Sequence, residues 1–126
     1  MATISDYVLD AALSKLDVEA NAIYLCSLEP ATYTAATSTN ALGNASGASY
    51  PGIGAPVDGT PNGRQVSSSA VTTGTITGTG TATHFAIVDT VNSRLLATGA
   101  LSSEQPVNTG NTFTMTSFTV RIPDPV

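Results

Sequence analysis

Apolar positions recur at helical spacing near the start of the chain and alternate further on. Leu9, Ala12, Leu13 and Leu16 fall on one set of turns, and Ile4, Val8 and Ala11 on another. This pattern predicts a helix over about 4–16. Thr3 stands three residues ahead of Asp6, the spacing of a capping box, and Asp6 and Asp10 suit the positive end of the helix dipole. Such a helix is too short to persist alone, so an apolar face must dock, either on its own sheet or on a partner.

Residues 22–28, AIYLCSL, are apolar on both phases, as in a strand covered on both faces, for example by the helix and a second sheet. Alternation returns weakly at 64–71 and 74–83. It is clearer in TATHFAIVD, where Ala82, His84, Ala86 and Val88 share one phase and Thr83, Phe85 and Ile87 the other. TVNS at 90–93 supplies a turn and residues 94–101 return, which predicts a hairpin. NTGN at 108–111 is a second turn. From Thr112 to Ile122 the phase changes. Phe113 and Met115 share one phase, while Phe118, Val120 and Ile122 share the other, so a bulge or bend is expected near Thr116–Ser117. PDP at 123–125 then ends strand pairing. Short strands separated by turn signals predict a mainly β fold, an antiparallel β-sandwich of jelly-roll type with one N-terminal helix.

Between these zones, residues 30–63 have no clear period. They hold six glycines and four prolines, with Asp58 the only charge. Proline blocks both ladder pairing and long helices. The segment also carries Tyr33, Leu42, Tyr50, Ile53 and Val57, unlike a disordered tail. It therefore reads as an ordered, low-charge arm or loop that lies on its own domain or on a neighbouring subunit. In the second case Tyr33, Leu42, Tyr50, Pro51 and Ile53 are the candidate subunit contacts. Deleting about 40–55 is then expected to leave a folded domain.

Composition narrows the function classes. The 126 residues suit a single domain, 1–126. Only 10% are charged, and Thr and Ser together fill 33 positions, which favours pleated, half-wet surfaces over a helical bundle. Net charge is −5, and the cations are Lys15, Arg64, Arg94 and Arg121. Four scattered cations cannot replace the counterions of a nucleic acid or form a polybasic membrane patch. The longest apolar runs fall far short of a membrane span, and the acidic start lacks the basic lead of a signal peptide. Cys26 is the sole cysteine, so no intramolecular disulfide forms.

Catalytic patterns are sparse. His84, the single histidine, lies among apolar residues in a predicted strand and reads as structural. Cys26 has no cation near it in sequence to lower its pKa and reads as a buried thiol. A zinc site needs three or four His/Cys-type ligands, and only these two are present. GTITGTG at 74–80 lacks the lysine and the helix of a phosphate loop. NAS at 44–46 matches a glycosylation acceptor without a secretion signal. The expectation is a non-enzyme with no cofactor and no metal.

Four stretches carry a resemblance: ISDYVLDAAL, LCSLEPATYTAATSTNALG, GTGTATHFAIVDTVNSRLLATGAL and GNTFTMTSFTVRIPDP. Together they resemble a family of small virion structural proteins of tailed bacteriophages, and the C-terminal half is similar to domains in phage fibres and head decorations. The resemblance covers most of the chain and is least clear at 45–65. It implies a capsid decoration, or cement, protein on the exterior of the virion. Its partners would be the major capsid protein and further copies of itself, as a dimer or trimer. A tail-fibre or receptor-binding module is the alternative. The family carries no catalytic residues to transfer.

Overall fold

The structure, a computed structural model, describes residues 3–124. Pro125 of the PDP signal lies outside the described residues. The chain is mainly β, with antiparallel sheets and one N-terminal helix. Helix α1 spans Asp6–Glu19, and nine strands follow: β1 Ala22–Cys26, β2 Ala41–Ser46, β3 Val57–Asp58, β4 Arg64–Ser67, β5 Val71–Ile76, β6 Gly80–Asp89, β7 Arg94–Val107, β8 Thr112–Met115 and β9 Thr119–Ile122. Six form one sheet in the order β7-β6-β1-β2-β5-β8, and three form a second in the order β3-β4-β9.

The larger sheet is curled, as its connections require. Strands β7 and β8 are neighbours in sequence but lie on opposite edges. Laid flat, six strands about 4.8 Å apart would separate those edges by about 24 Å. The four-residue connector 108–111 bridges at most about 17 Å between Val107 and Thr112. Curling brings the edges together at that end.

Inside the curl, Ile23, Leu25, Leu42, Ala45, Val71, Ile76, Ala82 and Phe113 form one core cluster. A second cluster joins the helix to both sheets through Leu13, Leu16, Ile53, Val66 and Ile87. Tyr50, Phe85 and Phe118 pack against both clusters. On the outer face of the sheet, Ala22, Cys26, Ala86 and Val88 lie under Ala36 and Tyr33. Strand β1 is thus covered on both faces as expected, but the outer cover is the π-helical turn Ala35–Thr39 with its lead-in, not the helix.

Helix α1 begins later and runs longer than the apolar spacing predicts. Ser5 is its N-cap and makes no side-chain capping bond, so the expected Thr3 capping box is not the start signal. The Lys15–Glu19 ion pair spans the last turn, and Ala20 turns extended to end the helix. Leu9, Leu13 and Leu16 are buried, and each contributes roughly 1.5–3 kcal/mol by leaving water.

Candidate functional site

The segment 30–63 is built into its own molecule. Strand β2 lies between β1 and β5 in the larger sheet, so deleting 40–55 would remove a central strand rather than an appendage. Leu42 and Ile53 are buried in the chain's own core, which corrects their expected role as exposed subunit anchors. Tyr33, Tyr50 and Pro51 are half-buried, the first two against core clusters of the same chain. The physical reason is β2 itself. Its small residues Ala41, Gly43 and Ala45 let neighbouring strands close in, and a Cβ at Gly43 would meet the Thr75 carbonyl and Ile76.

The sheet brings together two groups that are far apart in sequence. Cys26 on β1 and His84 on β6 are register partners. Their chemistry is nevertheless static. The Cys26 thiol donates to the Ala36 carbonyl at 3.5 Å, and burial pushes its pKa up to about 11, so it is not a thiolate at neutral pH. Thr83 Oγ1 donates to the Ser27 carbonyl at 2.9 Å, which leaves His84 Nδ1–H to donate to Thr83 Oγ1 at 2.9 Å. The imidazole is thereby held in an inter-strand hydrogen-bond chain. Among the described residues, no three of His, Cys, Asp and Glu gather as a metal-binding set.

The charged groups hold elements together. Arg64 of β4 reaches Asp10 of α1 through Nε–Oδ1 at 2.7 Å and Nη2–Oδ2 at 3.1 Å, and it also pairs with Asp58. The hydrogen bond to Asp10 is the main reason the guanidinium pKa is raised. Asp89, buried at the end of β6, accepts from the Val91 and Asn92 N–H groups and from Asn92 Nδ2. The Asn92 side-chain bond is the largest cause of its lowered pKa. These contacts order a helix and a turn.

Two surface features remain. The outward side of α1 presents Tyr7, Val8 and Val18, with Ile4 exposed just ahead of the helix; Tyr7 is 84% and Val18 78% exposed. The sequence pattern did contain this face, in the second apolar set Ile4, Val8 and Ala11. The other feature is a cleft of about 670 Å³ between residues 100–107 of β7 and 112–116 on and just after β8, floored by Leu25, Phe85 and Phe118. No periodicity in the sequence signals it, because it depends on how far the sheet curls.

No protein-family model, curated protein or solved structure matches the chain.

Proposed function

We infer that the chain is a non-catalytic virion component of a tailed bacteriophage, a decoration protein bound to the exterior of the major capsid shell. The observation that carries this reading is the outer face of α1. Its inner leucines already bind the helix to its own domain, so Ile4, Tyr7, Val8 and Val18 are not needed there. A helix apolar on two sides fits a second partner. The resemblance to phage virion proteins supplies the identity of that partner. The contact surface moves from the 30–63 ribbon, which its own fold occupies, to this helix. A low-charge surface suits binding by apolar area, repeated over many copies.

The test is coating of capsid shells that lack the protein. Tyr7→Asp and Val18→Asp, at exposed positions, should leave the circular dichroism spectrum unchanged and abolish coating. Undiminished coating by both variants would remove the helix from the interface. Copy number in purified particles tests location. Hundreds per particle accord with shell decoration, whereas a handful at the tail would make it a receptor-binding module instead.

A further inference from the structure

The edges of the six-stranded sheet face each other across the cleft, and among the described residues neither has a main-chain partner on its outer side. At one end they are pinned. Gly110 N–H donates to the Ile76 carbonyl at 2.9 Å, Ile76 N–H to the Asn111 carbonyl at 2.8 Å, and Thr109 N–H to Thr79 Oγ1 at 3.1 Å. Away from the pin β7 swells. The register of β7 moves from Gln105 opposite Ala82 to Ala100 opposite His84, so Leu101–Glu104 lie across from Thr83 alone. This swelling leaves the two edges with an apolar floor between them and Ser102, Ser103, Gln105, Thr114 and Thr116 along the walls.

We propose that the cleft receives one extended peptide segment of another polypeptide, which pairs with the free edge of β8, Thr112–Met115, as an added antiparallel strand. Three observations select this occupant. First, β8 lacks proline and charge, devices by which exposed edges refuse a partner, and the irregularity in its ladder, between Val71 and Gly74, places the extra residue on β5 and not on β8. The β7 edge has all three in Pro106, Glu104 and its swelling, so pairing is one-sided. Second, β7 lines the opposite side of the same cleft and is tied to β8 by the four residues 108–111, so the edge of a folded sheet, such as another copy of this chain, would have to pass β7 to reach β8. Third, alternate residues of an added strand face the floor, where Leu25, Phe85 and Phe118 offer apolar contact. The fitting segment is neutral, with apolar residues at every second position. An acidic segment would meet a chain of net charge −5. The slot stands independently of the virion reading.

The test uses the full isotope-labelled chain and capped hexapeptides of alternating Val-Thr, Ile-Ser and Phe-Thr, each with a counterpart N-methylated at alternate residues. The unmethylated peptides should slow amide exchange in Thr112–Met115 by at least about tenfold, and Thr114→Lys should weaken binding by about as much while preserving the fold. The N-methylated peptides should not bind. Failure of the whole panel at millimolar concentration would overturn the proposal. So would binding that leaves the β8 amides unprotected, or equal binding of the methylated peptides. Protection of β8 in the free chain, accompanied by dimerisation, would assign the edge to a second copy and also overturn it.

Discussion

Phe85 on β6 is the register partner of Gly99 on β7, and its ring lies over the glycine backbone. A Cβ at position 99 would come 2.5 Å from Phe85 Cζ. The ring has little room to yield, because it packs tilted against Phe118 with centroids 4.7 Å apart. Gly74 and Phe113 repeat the arrangement on β5 and β8. Glycine in a strand usually costs about 0.5–1 kcal/mol relative to alanine, so the sign of Gly99→Ala is informative. We expect destabilisation of about 1–3 kcal/mol in urea unfolding, from overpacking. Adding Phe85→Leu should recover part of that loss, with a coupling of about 0.5–3 kcal/mol in the double-mutant cycle. Additive effects would refute the contact.

Cys26 should resist thiol reagents in the native protein at pH 8 and react only on unfolding. Its pKa, pushed up from 9.0 to about 11 by burial, means that the fold favours the protonated thiol. That contribution is whole below about pH 9 and is lost as pH rises through about 11. Tyr50, raised to about 12 chiefly by burial, adds to the alkaline loss in the same direction. Cys26→Ala should therefore flatten part of the fall in melting temperature between pH 9 and 11, and an unchanged slope would contradict this.

Asp89 contributes to the acid limb. Its pKa is lowered, so its contribution is present above 3.8 and is lost as pH falls through the lower, folded value. Asp89→Asn retains an acceptor for the Val91 and Asn92 amides but not the charge. It should flatten stability at acid pH while keeping the turn. Asp89→Ala should additionally speed hydrogen exchange at Val91 and Asn92, which nuclear magnetic resonance can measure.

Arg64→Lys should loosen the helix. A lysine cannot make the two-pronged contact to Asp10 that the guanidinium makes. Amide exchange along α1 should quicken, and more so in Arg64→Met, while the curled sheet keeps its protection. Uniform loosening of the sheet would place the role of Arg64 elsewhere.

Much of the fold was legible where large apolar residues set a period. The helix, the β6–β7 hairpin and both turns at 90–93 and 108–111 follow from it. The phase change near Thr116–Ser117 marks the point where the chain leaves the larger sheet after β8 and joins the smaller one as β9. There the Phe118 N–H donates to Ser68 Oγ, and the Ser68 N–H donates to the Phe118 carbonyl. Strand β2 was illegible because ALGNAS buries alanine and glycine, which carry almost no hydropathic contrast. For the same reason residues 41–46, read as part of an arm that lies on its own domain or on a neighbouring subunit, proved to be sheet interior. The Cys26–His84 pairing and the cleft depend on inter-strand register and curl, which a single chain's spacing does not encode. The outer helix face was visible as a second apolar set, but its exposure required knowing which face β4 claims.

Strand β4 accepts both ends of the chain. Arg64 holds the first helix through Asp10, and residues 64–67 pair with 119–122 of the last strand. Strand β4 therefore waits, during synthesis, for a partner that is made only after β5 to β8, and the smaller sheet is the last to close. Nascent chains stalled short of Thr119 should keep α1 open to proteolysis.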